Sequence, residues 1–155
     1  MNWQIKSYKD LSKEEFHDII QLRIAVFVVE QNCPYQELDD KDRDAYHLFG
    51  QDDNGKIVAV ARILPEGISY EKDWSIGRVL ILPEFRNRKS GYDLMEEAIR
   101  FIRKHAPEKQ IRISAQAHLQ SFYEKVGFTF TGKAYDEDGI PHIEMIYPAS
   151  NSLPI

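Results

Sequence analysis

Val79-Leu80-Ile81-Leu82-Pro83-Glu84-Phe85-Arg86-Asn87-Arg88-Lys89-Ser90-Gly91-Tyr92 is the stretch that decides the fold. An apolar, β-branched run stops at a proline, a short basic loop follows, and Gly91 opens the amphipathic stretch 92–105. That order reads strand, loop, helix. Such a junction aims backbone N–H groups and a helix N-terminus at one spot, a ready anion site. Arg86, Arg88 and Lys89 stand there with no acid beyond Glu84, although the 155-residue chain has a net charge of −5. The positive charge is therefore local, and a phosphate-bearing ligand is the economical explanation. With a single glycine, the loop is neither the P-loop of nucleotide-binding proteins nor the glycine-rich dinucleotide fingerprint.

Composition narrows the class. Apolar residues make up 43% and charged residues 29% of the chain, as expected of one soluble domain with a proper core. We expect that domain to span 1–148, followed by an unstructured tail at 149–155. The acidic balance argues against nucleic acid as a partner. No apolar run approaches the roughly 20 residues that span a bilayer, and the first residues do not resemble a secretory signal. Cys33 is the sole cysteine. A cytoplasmic protein is expected.

Periodicity places the remaining elements. Residues 3–8 alternate as a strand, and Ser12 with Glu15 three residues on makes a capping box for a helix over 13–31. A polar, acid-rich connection follows. Strands are expected at 46–51 and 56–64 around Asn54-Gly55, at 74–82, and at 110–116. A short helix at 118–126 ends at Gly127, and a last hairpin turns at Asp138-Gly139 between 128–135 and 142–147. The order predicts an α/β protein of the α+β kind, with a mixed sheet and helices packed on its faces.

Two motifs then name a family. Arg86-Asn87-Arg88-Lys89-Ser90-Gly91 is similar to the acyl-CoA loop of the GNAT superfamily of N-acetyltransferases, and Phe122-Tyr123-Glu124-Lys125-Val126-Gly127-Phe128 to that family's Phe-Tyr-x-x-x-Gly-Phe helix end. Phe27-Val28-Val29-Glu30-Gln31, Cys33-Pro34-Tyr35, His47-Leu48, Gln116-Ala117-His118-Leu119-Gln120 and Glu137-Asp138-Gly139-Ile140-Pro141-His142 narrow the resemblance to the ElaA-type branch. It covers about residues 16–145. Lys89 departs from the pattern by replacing the loop's first glycine, and Gln116 stands where many relatives carry asparagine.

The resemblance implies an acyl-CoA N-acyltransferase fold with a central mixed sheet of six to seven strands. It implies an acetyl-CoA-dependent N-acetyltransferase that moves an acyl group to an amine on a small molecule or peptide, by direct attack in a ternary complex. The alternative is a non-catalytic acyl-CoA-binding or sensing domain. The cofactor would lie on Val79, Leu80, Ile81, Arg86, Asn87, Arg88, Lys89, Ser90, Gly91, Tyr92, Gln116 and Tyr123. The loop N–H groups would hold the pyrophosphate, and the backbone of Val79, Leu80 and Ile81 would pair with the pantetheine. Tyr123 is the expected proton donor to the leaving thiolate, while the base is open among His47, His142, Glu30 and relayed water. No metal is expected, and a homodimer is compatible with the architecture.

Two further signals are weighed. Asp40-x-Asp42-x-Asp44 imitates the start of a calcium loop, but Ala45 and Gln51 occupy positions that need glycine and glutamate. Glu37, Asp39, Asp40, Asp42 and Asp44 instead read either as the lining of the acceptor entrance, where they would attract a cationic amine, or as a solvated polar loop. Cys33 is expected to be an inert thiol.

Overall fold

A computed structural model describes residues 1–150; residues 151–155 and the Arg88 side chain lie outside the described part. Seven strands and three α-helices follow one another in the order expected: β1 (Asn2–Ser7), α1 (Lys13–Arg23), β2 (Tyr46–Gln51), β3 (Ile57–Leu64), β4 (Ser75–Ile81), α2 (Arg88–His105), β5 (Ile111–Gln116), α3 (Gln120–Val126), β6 (Thr129–Glu137) and β7 (Ile140–Tyr147).

The capping box at α1 forms as read. The Ser12 side chain accepts the Glu15 N–H at 3.0 Å, and the Glu15 carboxylate accepts the Ser12 N–H at 2.9 Å. The helix does not keep its pitch to residue 31. At Ile24–Glu30 it widens into a π-helical segment, made of the run Ile-Ala-Val-Phe-Val-Val-Glu. Departures of this kind concentrate at functional sites, and this one delivers the chain to a cleft described below.

The strands form two antiparallel sheets rather than one mixed sheet, in the orders β1-β2-β3-β4 and β5-β7-β6. A single parallel bridge, Trp74 to Ile111, joins them, with the Arg112 N–H donating to the Trp74 carbonyl at 2.9 Å. Beyond it β4 and β5 part. The cause lies in β4, where the register jumps so that Val60 faces Leu80 while Arg62 faces Gly77. The extra residue is a bulge, and Arg78 in it takes φ +50°, an uncommon value for a residue other than glycine. A bulge bends its strand and raises the local twist, which swings the end of β4 away from β5.

Alternation along the buried strands feeds two cores. Leu48, Ala61 and Ile63 pack with Leu94, Met95, Ala98 and Ile102 of α2, while Phe49 and Val60 pack with Ile19 and Val26 on the α1 side. All eight residues of β3 are buried because a helix covers each of its faces. At the far end Ala149 is buried and the Ser150 N–H donates to the Pro107 carbonyl at 3.0 Å, so the chain is still attached where the tail was expected to begin.

Candidate active site

The parting of β4 and β5 opens a cleft of about 430 Å³. One wall is β3, β4 and the chain following the π-helical segment. The other is β5, the start of α3 and the β6–β7 turn. Of the three β4 residues expected to meet pantetheine, Val79 lines this opening, and Leu80 and Ile81 do not. The Leu82 N–H binds the Val58 carbonyl at 2.9 Å, and Leu80 pairs with Val60 in the same phase, so both face β3. Val79 and Ile81 alternate with them and turn their backbone groups away from β3, where the Ile81 carbonyl accepts the Arg86 Nε–H.

The loop after β4 differs from its reading in two ways. α2 starts at Arg88 rather than at Gly91, because Asn87 is the N-cap and its Oδ1 accepts the Ser90 N–H at 2.9 Å. The Gly91 N–H bonds the Asn87 carbonyl at 3.2 Å. Two donors assigned to the pyrophosphate are thus engaged inside the helix. Arg86 is engaged as well: its Nε donates to the Ile81 carbonyl at 2.6 Å and its Nη2 reaches Glu30 at 3.1 Å. Lys89 is exposed beside the helix N-terminus. Gly91 itself sits against α3, where an added Cβ would lie 2.9 Å from Phe122 Cε1.

Tyr123, Gln116 and His142 come together in the cleft, whereas His47 and Glu30 do not line it. Tyr123 is 7% exposed, and burial pushes its hydroxyl up to about 12, so it stays protonated at neutral pH. Gln116 ends β5 and reaches Gln31 at 3.4 Å. His142 donates Nδ1–H to the Ile140 carbonyl at 2.7 Å, an assignment from geometry that leaves Nε2 as the free nitrogen. Nε2 lies 3.4 Å from Glu137 Oε2. His47 is 1% exposed, packs edge-on against Phe16, and holds the Asp42 carbonyl through Nε2 at 2.9 Å. Burial, outweighing that bond, pushes its pKa down. Glu30, 45% exposed, serves to tether Arg86.

The acid-rich loop corrects a second expectation. Glu37 and Asp42 are buried and bind Arg23 of α1, at 2.6 Å in each case. Arg62 of β3 binds Asp39 at 2.7 Å and Asp42 at 3.3 Å. Arg78 of β4 binds Glu37 at 2.8 Å and lies 3.6 Å from Asp39. Glu37 also accepts the Tyr35 hydroxyl. Burial alone would discharge these groups, but the mutual bonds outweigh it and hold Arg23 above and Asp42 below their ordinary values. Three of the five acids are therefore neutralised by three arginines, and only Asp39 among the five lines the cleft. Arg62, Arg78 and Glu137 were missed as site residues. Arg78 carried a faint signal, since Gly77-Arg78 interrupts an apolar strand.

The fold and the cleft define a class. The sequence profile of the Acetyltransferase (GNAT) domain matches residues 7–148, and the chain belongs to that family. It is 43% identical to protein ElaA of Escherichia coli K12 over 147 residues, which is 94% of this chain and 95% of that one. The crystal structure of Escherichia coli ElaA superposes with a TM-score of 0.87 at 40% identity, covering 95% of this chain and 99% of that one. An acyl-CoA N-acyltransferase from Pseudomonas aeruginosa gives the same TM-score at 39% identity with the same coverage. The AHL synthase LasI, 14% identical with a TM-score of 0.77, shares the fold alone.

Proposed function

We propose that the protein is an acetyl-CoA-dependent N-acetyltransferase in which the amine attacks the thioester directly within a ternary complex. One observation carries the reading: a buried, protonated Tyr123 hydroxyl and the free nitrogen of His142 line one cleft along the unpaired edge of β4. Bound acetyl-CoA would supply a thioester to that cleft.

Backbone groups of Val79 and the Ile81 N–H, whose carbonyl is taken by Arg86, hold the pantetheine amides, and the start of α2 with Lys89 holds the pyrophosphate. The Val79 N–H, beside the bulge, takes the negative charge that develops on the carbonyl oxygen as the C–N bond forms; such donors are worth about 10²–10³ in rate. His142 Nε2 accepts the proton that the amine loses, and Glu137 stabilises the resulting imidazolium. As the C–S bond breaks, Tyr123 donates a hydrogen bond to the departing sulfur. A hydroxyl at about 12 is a weaker acid than a thiol near 8.5, so net proton transfer from Tyr123 to a thiolate runs uphill. The proton that finally neutralises the thiolate is the amine's own.

Thiol release from acetyl-CoA with a panel of amines tests the proposal. Release that depends on an amine supports it. Binding of acetyl-CoA without release with any amine would leave only the binding-domain alternative.

A further inference from the structure

The charge left over in the cleft after internal pairing is divided between its walls. On the β3–β4 side Arg23, Arg62 and Arg78 are matched one for one by Glu37, Asp39 and Asp42, which leaves Lys41 as surplus positive charge. The donors are not matched. Arg78 spends Nε and Nη2 on Glu37 and Asp39, while Nη1 has no partner among the described residues, and its side chain stays 23% exposed. Arg62 keeps Nε buried without a hydrogen-bond partner. Lys41 uses one of its three N–H donors on Ser69 Oγ at 2.9 Å. This wall asks for an anion.

Across the cleft the order is reversed. Glu137 is half exposed and faces His142 Nε2 at 3.4 Å, and Asp138 follows it on the same cleft-lining turn. That wall accepts protons and attracts a cation. The division follows from the fold, since the two walls belong to different sheets.

We propose that the acceptor is a zwitterion of the amino-acid type: its carboxylate docks on Arg78 and Lys41, and its amino group lies at His142 and Glu137. The proposal rests on the acyltransferase reading for the role of that amino group. Its physical basis is separate, because charge complementarity selects partners by their geometry of charge rather than by net charge. A polyamine would set a second ammonium against Lys41 and Arg78.

The test uses the intact protein and matched pairs of acceptors that differ only by the carboxylate: lysine and cadaverine, phenylalanine and phenethylamine, methionine and 3-methylthiopropylamine. In thiol-release assays the amino acid of at least one pair should exceed its decarboxylated partner by about tenfold or more in kcat/KM, as one desolvated charge-assisted bond would give. Lys41→Gln, an exposed position, should collapse that ratio toward one. Decarboxylated amines that match or outdo their amino acids in every pair would overturn the zwitterion while leaving acyl transfer intact. If no amine releases thiol although acetyl-CoA binds, the acyltransferase reading fails on its own. Calorimetric titration of the same pairs then decides the recognition: heat of binding that requires the carboxylate supports it, and its absence overturns it.

Discussion

Gly91 and Phe122 are packed so closely that a methyl group fits between them only if the ring shifts: a Cβ on Gly91 would stand 2.9 Å from Phe122 Cε1 and 3.2 Å from Cζ. The next residue, Tyr92, stacks on the same ring with centroids 5.3 Å apart. The glycine that ends the basic loop motif and the first aromatic of the helix-end motif are thus one contact between α2 and α3. Gly91→Val should destabilise the protein by about 1–3 kcal/mol through overpacking. It should also weaken acetyl-CoA binding at least about tenfold by shifting the start of α2. Pairing it with Phe122→Leu separates the two roles. Recovered stability with affinity still lost assigns Gly91 to the ligand, and recovery of both assigns it to packing.

Tyr123→Phe keeps the ring and removes the hydroxyl. Acetyl-CoA affinity should be unchanged, and kcat should fall by about a hundredfold, along with kcat/KM, as for a bond made only in the transition state. Near-normal kcat in a folded variant would return Tyr123 to the core.

Lys89 stands where the family pattern has glycine. If its ammonium acts on the pyrophosphate through space, Lys89→Ala should weaken acetyl-CoA binding more at low salt than at high salt. Equal losses at both ionic strengths would mean that the lysine acts through shape or not at all.

His47 should matter to stability and not to turnover. Its folded pKa lies below the ordinary value of 6.5, so the unfolded chain takes up the proton first. Its contribution is fully present above 6.5 and is lost as pH falls from there toward the folded pKa. Asp42, also depressed, acts lower, losing its contribution as pH falls below 3.8. His47→Gln keeps a donor for the Asp42 carbonyl and cannot titrate. Thermal melts should show a flatter fall in stability on acidification just below 6.5, with thiol release at neutral pH retained. A large loss of kcat would place His47 in the chemistry instead.

Arg23 is the hub of the buried network. Arg23→Met removes the guanidinium shared by two buried carboxylates and leaves Glu37 to Arg78 and Asp42 to Arg62; removal of one partner of a buried pair costs about 3–5 kcal/mol. Urea unfolding should show a loss of that order, and a variant within about 1 kcal/mol of the parent would show that the carboxylates find other partners.

Local signals determined much of this protein. Ser12 and Glu15 fixed the start of α1, the apolar run of β3, broken only by Arg62, matches its burial on both faces, and the two short motifs fixed the family. Each of these depends on residues near one another in the chain, where hydrogen-bond reach and side-chain period are set by the backbone itself. Element ends were less legible. Asn87 competes with Gly91 for the start of α2 and wins because its side chain satisfies a helix N–H that glycine cannot.

The tertiary structure alone decided what the charged residues do. Glu37 lies 14 residues from Arg23 and 41 from Arg78, and Asp39 lies 23 from Arg62. No local rule pairs them. Read along the chain, the acidic loop is a cation-seeking rim; folded, it is the neutralising half of a buried network, and the anion-seeking donors of Arg78 and Lys41 remain. Likewise His47 and His142 each stand at or near a strand's start in the sequence, and only the packing of Phe16 on one and the splay of the sheets beside the other separates them. Charge and proton chemistry act through distance and burial, and those are properties of the assembled fold.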